Sequence, residues 1–287
     1  MLNQTNLKSY ILELEDNGRS PNTIKTYKFY LSRFIKYIED LDITSENCRD
    51  IINKYKSYLL RSRELAPSSV KTEVEVIKRF LIHEGYDCQK VETPKLPDKA
   101  PKYLNPEDVA KLLEAPAGIY ETRDKAILSL LYYSGLRVSE LIQLNKEDVN
   151  FKDASIQIKR GKGGIARAGF THKTTIEKIG LMLAGRNDET PALFINRDGG
   201  RLSVRSVQRI VKKASVRAGL QDKKVSPHVL RHSIAVNLLT MDDPLDIKTI
   251  QQLLGHRSLN TTMIYTKIND NDLKHRVQGA YDRLNGI

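Results

Sequence analysis

One stretch constrains this chain more than any other. Residues 226–266 read SPHVLRHSIAVNLLT, then a short acidic break, then IKTIQQLLGHRSLNTTMIYT. Ser226 is a favoured N-cap and Pro227 suits the first helical position. Behind them Val229, Leu230, Ile234, Leu238 and Leu239 recur at helical spacing. The spacing predicts a helix with His228 and Arg231 on one face near its start. That end carries unpaired N–H groups and the positive pole of the helix, which suits an anion. A second helix, Asp246 to Leu254, stops at Gly255, which puts His256 just past a helix C-terminus. Asn260 can cap a last short helix that carries Tyr265. As chemistry, the stretch reads as a cationic pocket for one phosphate with a phenol beside it.

HVLRH, LLGHRS and a Tyr nine residues after His256 resemble the C-terminal boxes of the tyrosine recombinases, the integrase family. Upstream, YYSGLRVSELIQL resembles the family's first-arginine box. The resemblance is strong over about residues 102–270 and loose over 1–90. Any one box alone is a weak signal; the ordered set Arg, Lys, His-x-x-Arg, His, Tyr is highly specific. It implies a mainly α fold with a small β-sheet: an N-terminal helical bundle followed by an α+β catalytic domain. The expected divisions are a helical core-binding domain at 1–88, a linker at 89–102, and a catalytic domain at 103–287 with a C-terminal helix over 270–285.

Periodicity supplies the elements independently. A first amphipathic helix spans 4–17, with Leu7, Ile11 and Leu14 on one side and Gly18 as its stop. Ser20-Pro21 restarts a helix whose stripe is Ile24, Tyr27, Leu31, Phe34 and Ile38, with Lys25, Lys28, Arg33 and Lys36 largely off it. A third helix, from about Ser45 to Arg61, buries Cys48, Ile51, Ile52, Tyr55 and Leu59. A fourth, from Pro67 to Gly85, turns Val70, Val74, Ile77 and Leu81 inward. Four helices with short loops make a small bundle. By resemblance it closes over one face of a DNA duplex, through some of those Lys and Arg residues; a merely solvated basic face is the alternative. Residues 89–102, with three prolines and almost no periodicity, read as a stiffened linker.

Asn105-Pro106-Glu107-Asp108 is a strong helix start. A helix at 121–134 ends at Gly135; Arg137 follows, then a short helix Val138–Leu144. Residues 154–170 read as two strands around a Gly-rich turn carrying Lys162. Helices over 172–184 and 203–218 flank a short apolar strand, Ala192–Ile195. Arg205, Arg209, Lys212 and Lys213 on the later helix suit phosphate or base contacts as well as they suit a solvent face.

Charge agrees with this division. The net charge is +12; residues 1–100 hold 17 basic and 15 acidic side chains, and residues 101–287 hold 30 and 20. The excess sits with the pocket boxes, as polyanion binding requires, and such binding weakens steeply with salt. No signal segment or membrane span is apparent, and the two cysteines, Cys48 and Cys88, lack metal-ligand spacing or a disulfide framework. A reducing cytoplasm is the expected compartment.

A phosphodiester under attack concentrates charge on its non-bridging oxygens, and two guanidiniums can grip these bidentately. Arg137 and Arg231 are the candidates, with His256 donating a further hydrogen bond and His228 assisting proton removal. Tyr265 is the candidate nucleophile among thirteen tyrosines. Adjacent cations favour its phenolate, and attack gives a covalent ester that a second hydroxyl can reseal without ATP. The resemblance implies that Lys162 protonates the departing 5′ hydroxyl, with Lys159 and Lys173 as substitutes. Here the chain departs from the family, which continues with a Lys and an Arg before Val-Pro; this chain has Ile165-Ala166-Arg167-Ala168-Gly169. Glu140, at i+3 from Arg137, is placed to orient a cation, and His232 reads as structural. No metal or cofactor is called for.

The implied activity is site-specific cleavage and rejoining of duplex DNA through a 3′-phosphotyrosyl intermediate. A two-domain chain with no extra N-terminal module resembles the Xer type, which resolves chromosome or plasmid dimers; a short mobile-element integrase is the alternative. Four protomers on two DNA sites, coupled through the C-terminal helix, are what the family implies, though that helix could instead pack within its own chain. A relaxing topoisomerase would rejoin the same strand, and a non-catalytic regulator would form no adduct.

Overall fold

The computed structural model describes residues 2–88, 91–95, 102–159, 167–241 and 243–255. Lys162, His256, Tyr265, the expected helices beyond Asn260 and much of the expected linker lie outside the described residues. The chain divides into two compact units, Met1–Asp98 and Lys99–Ile287.

The first unit is helical: α1 (Gln4–Asp16), α2 (Pro21–Tyr37), α3 (Cys48–Arg61) and α4 (Pro67–His83). Each start has a local cause. The Asn3 side chain accepts from Thr5 N at 2.8 Å, and Ser20 caps α2 ahead of Pro21. The third helix begins at Cys48, later than expected, because Thr44 and Asn47 bond each other's main-chain N–H groups and hold a turn instead. The anticipated stripe of α3 is the buried one: Cys48, Ile51, Ile52, Tyr55 and Leu59. Burying a large apolar side chain contributes about 1.5–3 kcal/mol, so Leu31, Phe34, Ile52, Leu59, Ile77, Phe80 and Leu81, all essentially inaccessible, form the unit's main stabilising contact.

Two polar features sit in that core. Glu73, on the inner side of α4, is fully buried and accepts from Arg33 Nε at 2.9 Å and Tyr55 Oη at 2.7 Å. Arg33, grouped above with the basic face of α2, is thereby committed to packing. The thiols of Cys48 and Cys88 are both free, buried and in contact, with Sγ atoms 2.8 Å apart.

The second unit contains α5 (Pro106–Glu114), α6 (Glu121–Tyr133), α7 (Val138–Leu141), β1 (Val149–Asn150), β2 (Ser155–Ile158), β3 (Arg167–Phe170), α8 (Lys173–Ala184), α9 (Val204–Arg217), α10 (Pro227–Thr240) and α11 (Ile247–Leu254). Residues Ala126–Tyr132 of α6 are all buried, which makes this the central helix, packed on α8 and α10. The antiparallel sheet runs β1-β2-β3, with Ser155 opposite Phe170 and Ile158 opposite Arg167. Ile156 and Ile158 alternate inward.

Three local expectations change. The helix at 138 is a single turn: past it Gln143 N and Leu144 N bond the carbonyls three residues back, and the Arg201 guanidinium takes the carbonyls of Ile142 (2.9 Å) and Leu144 (2.8 Å). Ala192–Ile195 is held by isolated bridges to Asn145 and Arg201, outside the sheet. The sheet gains β1, too short for any period to reveal.

Candidate active site

Two helix ends and two helix starts meet in the second unit. After α6 the chain turns at Gly135, with φ +54°; a Cβ there would lie 2.5 Å from Leu254 Cδ2. Glycine therefore allows both the left-handed turn and the approach of α11. Arg231, buried on α10, donates Nη1 to Gly135 O and Nη2 to Leu254 O at 2.7 Å. It ties the α6 break to the end of α11, satisfying carbonyls that a helix terminus leaves orphaned.

Arg137 occupies the N-cap position of α7. Its main-chain N–H donates to Glu140 Oε2 at 2.8 Å and its Nη1 to Glu140 Oε1 at 2.9 Å. Glu140 is only 2% exposed, whereas the Arg137 side chain keeps 32% of its surface. A second guanidinium shares the same carboxylate: Arg167, on β3, donates Nη2 to Glu140 Oε2 at 3.1 Å and Nη1 to Leu253 O at 3.0 Å. Gly255 ends α11 with φ +64°, and a Cβ at that position would collide with the Arg167 Nε and Cδ atoms.

Two histidines lie partly buried beside these cations. Ser226 caps α10 and Pro227 opens it, which brings His228 onto the first turn. Its pKa is lowered by partial burial, then by Arg231 and Arg137. His232 meets it edge to face, ring centroids 4.1 Å apart, and is pushed down to about 4 by burial, then by His228 and Arg231. Both rings are therefore neutral at pH 7, and a neutral imidazole can accept a proton. Burial likewise lowers the Arg167 pKa, which Glu140 opposes and Arg137 reinforces.

Among the candidates named from sequence, the described ones, Arg137, His228 and Arg231, come together, with Glu140 beneath Arg137. Lys162, His256 and Tyr265 lie outside the described residues. Lys159 is held by Asp148 at 2.7 Å and Glu147 at 2.6 Å, which raise its pKa and make it a weaker proton donor. Lys173 is the exposed first residue of α8. His232 touches His228 instead of pointing away from it. No spacing signal singles out Arg167; its place in the departure from the family's hairpin pattern is the available one. Among the described residues no group of His, Cys, Asp and Glu could hold a metal ion, and no helix is long and apolar enough to cross a membrane.

The phage integrase family model matches residues 102–272, well over half of the chain and all of this cluster, and the chain belongs to that family. Within it the character is that of a Xer-like tyrosine recombinase, an enzyme of site-specific recombination; the covalent tyrosyl mechanism is the family's general property. Tyrosine recombinase XerA of Pyrococcus horikoshii is 36% identical over 98% of this chain and 95% of its own length. Tyrosine recombinase XerC of Thermodesulfovibrio yellowstonii is 35% identical over 97% of each. A crystal structure of XerA recombinase, 29% identical, covers 96% of this chain and 98% of its own with a TM-score of 0.58. A lambda integrase dimer bound to a COC′ core site shares the fold at a TM-score of 0.71 and 19% identity, covering 92% of this chain and 95% of its own.

Proposed function

We propose that this chain cleaves and rejoins duplex DNA with Tyr265 as nucleophile and that Arg137 and Arg231 hold the non-bridging oxygens of the scissile phosphate. The observation that carries the reading is the meeting of Arg137, Arg231 and a neutral His228 where two helices end and two begin, a place where burial first, and then the neighbouring cations, depress both histidines. A pentavalent phosphorus concentrates negative charge where such donors are fixed in advance, and each is worth about 10²–10³ in rate. His228 takes the phenolic proton, His256 donates to the same oxygens, and Lys162 returns a proton to the 5′ hydroxyl. The resulting ester conserves the phosphodiester bond energy, so exchange needs no nucleotide cofactor.

The DNA-bound relatives support a duplex partner. They include XerH on a palindromic difH substrate, covering 96% of this chain and 83% of its own at 23% identity and a TM-score of 0.71. The exposed Arg205, Arg209, Lys212 and Lys213 of α9, and Lys25, Lys28 and Lys36 of α2, are the surface cations available for its backbone. In this reading residues 1–88 are the core-binding domain, 89–102 the linker and 103–287 the catalytic domain. The helix 270–285 couples protomers, four of them on two sites. The role is resolution of chromosome or plasmid dimers, in the cytoplasm where that DNA lies.

A nicked suicide duplex tests the assignment. Wild-type protein accumulates a covalent adduct whose linked peptide contains Tyr265; Tyr265→Phe binds the duplex equally and traps none. An adduct in the Phe variant moves the nucleophile elsewhere, and no adduct with wild-type protein removes the catalytic reading.

A further inference from the structure

The cations of the pocket do not stand alone: Glu140, which holds Arg137 twice, would by itself cancel much of the charge that a phosphate needs. Its Oε1 accepts from Arg137 Nη1 and its Oε2 from Arg137 N, so carboxylate and guanidinium form a close pair in a site where Glu140 is almost out of water. A pair so placed is nearly neutral at a distance. Arg167 changes that balance. It brings a second full positive charge to Glu140 Oε2, its side chain only 16% exposed, so that two guanidiniums share one carboxylate. It is anchored from the other side by Leu253 O at the end of α11, a helix pole that favours cations. Its path requires the bare Cα of Gly255, whose missing side chain leaves the space that Nε and Cδ occupy.

We infer that Arg167 is a positioning residue for the reaction: braced on the C-terminus of α11, it draws Glu140 and thereby fixes the Arg137 guanidinium while leaving it cationic toward the phosphate. Arg167 does not itself touch DNA in this account. The inference rests on the reading of Arg137 as a phosphate ligand given under the proposed function. Lysine cannot replace it, because one ammonium on a flexible stem lacks the planar fork that meets Glu140 and Leu253 O together.

The test is a double-mutant cycle in the full-length chain, read as single-turnover cleavage of a nicked suicide duplex and, separately, as equilibrium binding of the same duplex. Arg167→Ala slows cleavage on the order of 30–100-fold, with binding changed by less than about 3-fold, because a lost charge-assisted hydrogen bond of about 2–3 kcal/mol acts only on the pocket. In an Arg137→Ala background the same change costs less than about 3-fold, since residues acting as one unit are not additive. Equal losses in both backgrounds would show that Arg167 works by general stability or by its own contact with DNA, and would overturn the inference. Arg167→Lys provides a second cycle with the charge and stem retained; it shows the same non-additive loss with an unchanged melting temperature. Wild-type cleavage at full rate by Arg167→Lys would also overturn it. Failure of wild-type protein to form any adduct would remove the catalytic reading itself, a result separable from the two above.

Discussion

Each unit of this chain buries one glutamate against arginine, and the two arrangements differ in what they leave over. In the first unit Glu73 is met by Arg33 and by the Tyr55 hydroxyl, one carboxylate with one guanidinium and a neutral donor. Burial and then Glu73 push the Tyr55 pKa well up, so the phenol stays a donor and the site is electrically neutral. In the second unit Glu140 is met by two guanidiniums, and Arg231 is bonded to two main-chain carbonyls nearby. Balanced charge holds helices in register; charge in excess, with Arg137 reaching solvent, waits for an anion. Composition alone does not separate the two glutamates: the difference lies in how many cations converge on each.

The contrast is broken most directly by making the same substitution at both. Glu73→Gln leaves the half-buried Arg33 without its counter-charge and is expected to cost about 1.5–3 kcal/mol of stability, seen as an earlier transition in urea-melt circular dichroism, with cleavage per folded molecule unchanged. Glu140→Gln is expected to lower single-turnover cleavage by about 10–100-fold through a loss of similar size, with a smaller change in melting. If both variants lose stability alone, Glu140 is structural and the comparison fails.

A smaller effect sharpens the electrostatic half. The pKa of His232 is depressed to about 4 in the folded protein against an ordinary 6.5. Below pH 6.5 the unfolded chain takes up that proton first, so this group's contribution is intact above 6.5 and is lost as pH falls towards 4. The wild-type melting temperature should fall across that window by a few degrees more than that of His232→Gln, since about 1 kcal/mol moves the midpoint of a unit this size by roughly 2–4 °C. Parallel curves would mean that His232 is not held neutral by its surroundings.

The last test concerns the first unit. Burial, then the contact with Cys48, raises the Cys88 thiol above its ordinary range. Alkylation at pH 8 should therefore be slower in native protein than in urea by on the order of 100-fold. Equal rates would show that the core around these buried thiols opens freely, and would weaken the contrast.

Much of the fold was legible beforehand because its signals are short-range. Ser20-Pro21, Asn105-Pro106 and Ser226-Pro227 each open a helix where cap chemistry demands it, and Gly255 closes α11. The stripes of α2, α3 and α4 were readable from spacing, although Glu73 on α4 was not, because nothing local announces a buried carboxylate whose partner Arg33 is 40 residues away. The pieces that differ from expectation, the one-turn α7 and the bridge segment at 192–195, both lie against Arg201, whose side chain takes carbonyls more than 50 positions away and whose main chain bridges Ile195.

Sequence by itself therefore determined the helices, their inward faces and the set of side chains able to grip a phosphate, since caps, periods and motif spacing act within a few residues. Tertiary structure alone decided which cations share a carboxylate. Arg167 reaches Glu140 across 27 residues and Leu253 across 86, and no local pattern encodes such a meeting. It exists because packing brings β3 and the end of α11 together, with no side chain on Gly255 to keep them apart.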